Sequence, residues 1–169
     1  LKAHYPAAFL CARLANGGGF YPPAVYIAEA QRLGIGVRPP HVNHSGRYFT
    51  LAYEQQNPVL WMGLGQVRSL RRASVAAITD GAPFDNLSDL LGRVSLRARE
   101  IENLIRCGAL DGLGDSRAML LAEAGATQRA ASPQQMRFDF AAPQPAAAAS
   151  LAQRLAWEVE ILGQPLSVH

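Results

Sequence analysis

Three arginines, Arg68, Arg71 and Arg72, fall within five residues of one another. They lie inside a stretch from Val59 to Thr79 that carries no acidic side chain. A guanidinium is planar, permanently charged, and presents a fork of donors that matches phosphate oxygens. Residues 65–80 read as a short helix, a tight turn and a second helix. Such a unit sets backbone N–H groups and a helix N-terminus against a phosphate, and those contacts hold nucleic acid without reading its sequence. A helix pair whose arginines are merely solvated explains the same residues equally well. The net charge is only +3, so this is a local positive footprint rather than a basic domain.

Other chemistry is harder to build. His41 and His44 lack Cys or carboxylate partners at ligand spacing, and a loop whose polar side chains bond its own backbone accounts for them better. Glu100/Glu102 and Glu158/Glu160 are i,i+2 pairs on helical stretches and point apart, so neither pair converges on two metal ions. Asp85/Asp89 and Asp111/Asp115 flank helix starts, where acids interact favourably with the helix dipole. Cys11 and Cys107 are far apart, each in an apolar helical context, and read as free buried thiols. No Ser or Cys has an evident base. No catalytic residue and no metal ligand is expected in this chain. One stretch stands out for another reason: "PQQMRFDFAAPQP" at 133–145 places Met136, Phe138 and Phe140 in a tract of Ala, Pro and Gln that has no reason to fold. Two readings account for such side chains: they are buried in another protein, or Phe138 and Phe140 fold back onto the helical domain as a local staple.

The elements that hold these residues follow from period and punctuation. Pro6 opens a helix to about Leu14 and Pro22-Pro23 a second one that ends at Gly34. Val37-Arg38-Pro39-Pro40 must be extended. Tyr48–Tyr53 and Val59–Met62, around Gln55-Gln56-Asn57-Pro58, read as a β-hairpin. Helical patterns then return at about 65–68, 72–80, 87–93, 96–106 and 116–124. Residues 126–149 read as low-complexity linker. Ser150 with Gln153 forms a capping box for a last helix that Gly163 and Pro165 terminate. The fold class is mainly α with one small β-hairpin. No apolar run approaches the roughly 18–20 residues of a membrane helix. Leu1-Lys2-Ala3-His4 does not read as the start of a signal peptide, and a chain that begins at Leu1 without Met reads as a piece of something longer.

"LKAHYPAAF" at 1–9, "VRPPHVNHS" at 37–45 and "EILGQPLSVH" at 160–169 resemble, in this order, motifs of the bacterial C-family DNA polymerases (the DNA polymerase III alpha subunit). "FDNLSDLLGRV" and "ENLIRCGALDGLGDSRAML" between them are similar as well, and "GGGFYPPAVYIAEAQRLG" looks closer to the error-prone branch. The resemblance implies that 1–46 is the end of the polymerase fingers. Residues 47–125 would be the β-hairpin plus tandem helix-hairpin-helix, 126–149 a linker, and 150–169 a helix leading to an oligonucleotide-binding domain. It implies double-stranded DNA as partner, with the helix-hairpin-helix units at about 65–80 and 97–124. The contacts would be Arg68, Ser69, Leu70, Arg71 and Arg72 in the first and Gly108, Gly112 and Gly114 in the second. It also implies a sliding clamp as partner, through Gln135, Met136, Phe138 and Phe140 on the flexible linker, and a cytoplasmic, membrane-free setting with the rest of the polymerase chain. Two Mg²⁺ ions would serve the parent enzyme on palm aspartates N-terminal to this stretch, with no cofactor in the stretch itself.

Two departures from the family pattern matter. Arg68-Ser69-Leu70-Arg71 stands where Lys-Gly-apolar-Gly is usual, which removes both glycines from the first turn. His41 replaces an Asp. The rival readings are a non-enzymatic helical protein-interaction module and a helix-hairpin-helix repair glycosylase. The latter requires a catalytic Asp or Lys beside an intact Gly-rich hairpin, and Lys2 is the only lysine.

Overall fold

In the computed structural model, residues 4–17, 21–131 and 149–166 are described. Helix α1 (Pro6–Ala15) starts on a proline, whose missing N–H costs nothing in a first turn, and turns Ala7, Leu10 and Leu14 inward. Helix α2 (Pro23–Arg32) repeats the device and buries Ile27 and Ala30. The two helices pack against each other and against a small sheet.

That sheet holds β1 (Gly36–Arg38), β2 (Thr50–Glu54) and β3 (Asn57–Trp61) in the order β1-β3-β2. β2 and β3 form the expected hairpin. Thr50 pairs with Trp61 and Glu54 with Asn57, and Gln55 and Gln56 both take positive φ, 49° and 71°, in the two-residue turn. β1 is a third strand beyond the expected hairpin, parallel to β3 with Gly36 opposite Val59 and Arg38 opposite Trp61. Its extended backbone follows from Pro39-Pro40, which also limit it to three residues. Arg38 and Glu54, on the two strands that flank β3, form an ion pair at 2.7 Å. The pair therefore reaches across the central strand.

The helical part comprises a 3-10 turn (Leu64–Gln66), α3 (Arg72–Gly81), α4 (Leu87–Arg93), α5 (Ala98–Arg106), α6 (Arg117–Ala131) and α7 (Leu151–Leu162). Asn86 caps α4 by accepting the Asp89 N–H at 2.8 Å, and Ser150 caps α7 by accepting the Gln153 N–H at 3.2 Å. Helix α6 runs past the expected end near 124 and six residues into the stretch read as linker. Alanine and arginine are among the strongest helix formers, so a composition that looks featureless continues the helix. Leu10, Leu60, Met62, Leu64, Ile78, Leu90, Leu104, Ile105, Leu110 and Leu120 are fully buried in one continuous core. Each such side chain contributes about 1.5–3 kcal/mol relative to exposure. Cys11 and Cys107 are free thiols. Burial pushes the Cys107 thiol up to about 12, which leaves it a small apolar side chain.

Candidate nucleic-acid interface

The first candidate unit is the 3-10 turn, the loop 67–71 and α3. Loss of glycine does not prevent its turn: Ser69 takes φ 64°, a left-handed conformation that costs a non-glycine residue about 1–2 kcal/mol. Arg71 has φ −68° and requires no glycine. Neighbouring elements fix the loop backbone. The Arg68 N–H donates to the Ile161 carbonyl at the end of α7, at 3.1 Å, and the Asn103 side-chain amide on α5 donates to the Arg68 carbonyl at 2.7 Å.

Arg71 turns toward the protein. Its Nε donates to Glu100 Oε1 at 3.0 Å and its Nη2 to Oε2 at 2.9 Å, a bidentate pair. Nη2 also donates to the Ser95 carbonyl at 3.2 Å. Glu100 is 1% exposed and accepts three further bonds: the Arg71 N–H at 2.9 Å, the Ser74 hydroxyl at 2.8 Å and the Arg97 N–H at 2.8 Å. Burial alone would raise this carboxyl. The hydrogen bonds from Arg71, Arg97 and Ser74 together outweigh it and hold the carboxyl down at about 2. Leu70 packs against the core. Arg68, Ser69 and Arg72 are exposed, and neither Arg68 nor Arg72 has an ion-pair partner among the described residues.

The second candidate unit is α5, the loop 107–116 and α6. Gly108 and Gly112 have φ 87° and 90°. Gly108 is buried, and its N–H donates to the Ile105 carbonyl at 3.1 Å. A Cβ on it would lie 2.5 Å from Nη2 of Arg117. Arg117 closes the loop through Asp111, Nε to Oδ1 at 2.8 Å and Nη2 to Oδ2 at 2.6 Å, and donates to the Arg106 carbonyl at 3.0 Å. Gly112 and Gly114 are exposed, and their N–H groups have no hydrogen-bond acceptor among the described residues. Of the three glycines expected to contact phosphate, two face solvent and one packs inside.

A sequence profile of the helix-hairpin-helix motif matches residues 34–120, which contain the first unit and the second as far as the first turn of α6. The chain belongs to the helix-hairpin-helix motif family. Beyond that motif, the chain is similar to an error-prone DNA polymerase of Corynebacterium glutamicum, 38% identical over 125 residues, covering 73% of this chain and 12% of that one. It is 35% identical over 168 residues to an error-prone DNA polymerase of Methylococcus capsulatus, covering 86% of this chain and 16% of the relative. It is 38% identical over 130 residues to the DNA polymerase III subunit alpha of Thermus aquaticus, covering 72% and 10%. The chain thus spans between a tenth and a sixth of the length of these relatives.

The second helix-hairpin-helix unit is seated by the loop that carries both histidines. The Val42 N–H donates to the Ala109 carbonyl at 3.0 Å. His41 Nδ1 accepts the Asn43 N–H at 3.0 Å, so its Nε2 carries the proton and meets the Asp111 carbonyl at 2.8 Å. An ionised Asp at this position has no proton to donate, and that is what His41 changes. Burial pushes the His41 pKa below the usual range, against the opposing pull of the Asp111 carbonyl, consistent with a ring that stays neutral. The His41 N–H donates to the Ser45 hydroxyl at 2.9 Å. The Asn43 amide exchanges two bonds of 2.9 Å with the backbone of Phe84. The loop bonds its own backbone and that of its neighbours. Gln135, Met136, Phe138 and Phe140 lie outside the described residues, and the structure has no bearing on them.

Glu100, Asn103, Asp111 and Arg117 were not singled out by sequence as parts of a binding unit. For Glu100 a signal existed. It stands three residues after Arg97 at the start of a helical run, the position from which a Glu reaches back to the first N–H of a helix. Glu102 points elsewhere, to Arg106 at 2.7 Å, as the i,i+2 spacing required.

Proposed function

We propose that the chain is the duplex-holding part of a bacterial DNA polymerase of the error-prone or alpha-subunit kind, and that it grips the phosphates of double-stranded DNA without reading sequence. The observation that carries this reading is the pair of helix-hairpin-helix units, one with exposed Arg68 and Arg72 and the other with Gly112 and Gly114 N–H groups that meet no acceptor among the described residues, in a chain whose relatives are polymerases. Ser69 supports the first turn and Leu70 anchors it. Among the described residues no helix is long and apolar enough to cross a membrane. No three His, Cys, Asp or Glu side chains among the described residues are placed to hold a metal. The same proposal places nucleotide transfer with Mg²⁺ in the remainder of the longer protein.

Binding of two duplexes of equal length and unrelated sequence tests the proposal. Equal affinities are expected, with log affinity falling against log salt by about 0.9 for each phosphate neutralised. Replacing both Arg68 and Arg72 with Ala flattens that slope by roughly two such increments. Salt-independent binding, or a double variant that binds like the parent, rejects the assignment and leaves a helical protein-interaction module.

The second half of the proposal is attachment to a sliding clamp through Gln135, Met136, Phe138 and Phe140. Gln135 offers an amide for orientation, and the apolar side chains fill a pocket, anchors of the kind that dominate peptide interfaces. A peptide spanning Ser132–Pro143 is expected to bind the cognate clamp and to lose binding when Gln135→Ala and Phe140→Ala are combined. No binding at high micromolar clamp rejects this half alone.

A further inference from the structure

We infer that the Arg71 corner of the first hairpin is a joint rather than a phosphate site, with Glu100 seated where a phosphate would sit and, together with Asn103, acting as a positioning residue between the two hairpins. This rests on the duplex-binding reading and deepens it. A phosphate at this turn would draw on the N–H at the start of α3, a hydroxyl of its first turn and a nearby guanidinium. Here the Arg71 N–H, the Ser74 hydroxyl and the Arg71 Nε and Nη2 all end on one carboxylate, which is 1% exposed. Arg68 is held too, its carbonyl by Asn103 and its N–H by Ile161, while the Ser69 N–H and the first-turn N–H groups of α3 have no acceptor among the described residues. Both Glu100 and Asn103 belong to α5, the first helix of the second hairpin. One helix thus clasps the first hairpin with Glu100 and Asn103 and carries the second hairpin at its C-terminal end. Contact between the first hairpin and DNA is left to the exposed Arg68 and Arg72 side chains and to the Ser69 and α3 first-turn N–H groups.

The test compares the salt dependence of duplex binding in the 169-residue chain and two variants. In Glu100→Gln the charge that holds the Arg71 guanidinium is removed, and the slope is expected to steepen by about 0.9, one additional phosphate. In the double variant Arg71→Ala with Glu100→Gln it returns to the parent value. The inference is overturned when Glu100→Gln leaves the slope unchanged and the double variant flattens it by about 0.9, since Arg71 is then already on phosphate. A measurement on the unaltered chain stands independently of any variant's folding. The Arg71 Nε–H, observed by NMR, should exchange slowly with water and keep its resonance when duplex is added, while those of Arg68 and Arg72 shift. An Arg71 Nε–H that exchanges as fast as that of Arg68 before DNA is present overturns the joint. Should the parent chain bind no duplex at all, the proposed function fails while this NMR result still decides whether the joint exists.

Discussion

Replacing Glu100 with alanine is expected to cost about 2–3 kcal/mol, less than the loss of one partner of a fully buried ion pair, because the Arg71 side chain is 40% exposed and can turn to water. The N–H groups of Arg71 and Arg97 and the Ser74 hydroxyl all lose their acceptor at once, and each buried group left unbonded is penalised separately. Against a typical total of about 5–15 kcal/mol this is a large fraction. Urea denaturation of parent and variant measures it. The same carboxylate makes the chain acid-sensitive. Its pKa is about 2 when folded against an ordinary 4.5, so the folded form resists protonation more than the unfolded form does. The stability it supplies is complete above the ordinary carboxylate range and is lost as pH falls from near 5 toward 2, in total about 3 kcal/mol. Glu100→Gln should flatten that part of the melting-temperature profile. A variant whose acid profile matches the parent would show that the network in the structure does not govern stability.

Gly108→Ala is the second large effect, about 3 kcal/mol. Two costs combine: a left-handed backbone that penalises a Cβ by about 1–2 kcal/mol, and a Cβ placed 2.5 Å from Nη2 of Arg117. That guanidinium is doubly bonded to Asp111, so it has to give up the ion pair or push the loop open. Gly112→Ala supplies the control. Its φ is 90°, yet nothing lies within 4 Å of the added carbon, so only the backbone cost applies. Thermal melts of the two variants should separate by the contribution of the Arg117 contact. If Gly108→Ala melts no lower than Gly112→Ala, the closure of the second hairpin by Arg117 is not a source of stability.

How far the fold could be read beforehand depended on the range of the interactions involved. The β2–β3 hairpin was legible because alternation and a short polar turn are local. Its partner β1 was not, since three residues before two prolines show no period and their pairing with β3 joins positions 23 apart (Gly36 with Val59). The turn at Ser69 was the sharpest uncertainty. Glycine was missing from the pattern, but the conformation glycine serves was kept at a modest cost. Arg71 shows the opposite limit. Its type and place in a basic turn fit a phosphate ligand, and nothing nearby in sequence reveals that its charge is answered by a carboxylate 29 residues away. His41 could not be interpreted until Asp111, 70 residues on, was seen to present a carbonyl to it. The extent of α6 was missed for a different reason, because an alanine-rich stretch satisfies the description of a linker and of a helix alike.

The return of α7 onto α5 and onto the Arg68 N–H ties down the chain on the far side of the segment that follows α6. Nineteen residues separate Ala131 from Leu151, and both ends belong to helices packed on α5. A leash fastened at one end reaches with its whole length, whereas one fastened at both ends reaches with about half. At about 3.4 Å per extended residue, no point of it gets farther than about 30 Å from its anchors. Anything that grips Gln135–Phe140 must therefore come within that radius of the helical body, and a pull on the leash is shared between α6 and α7.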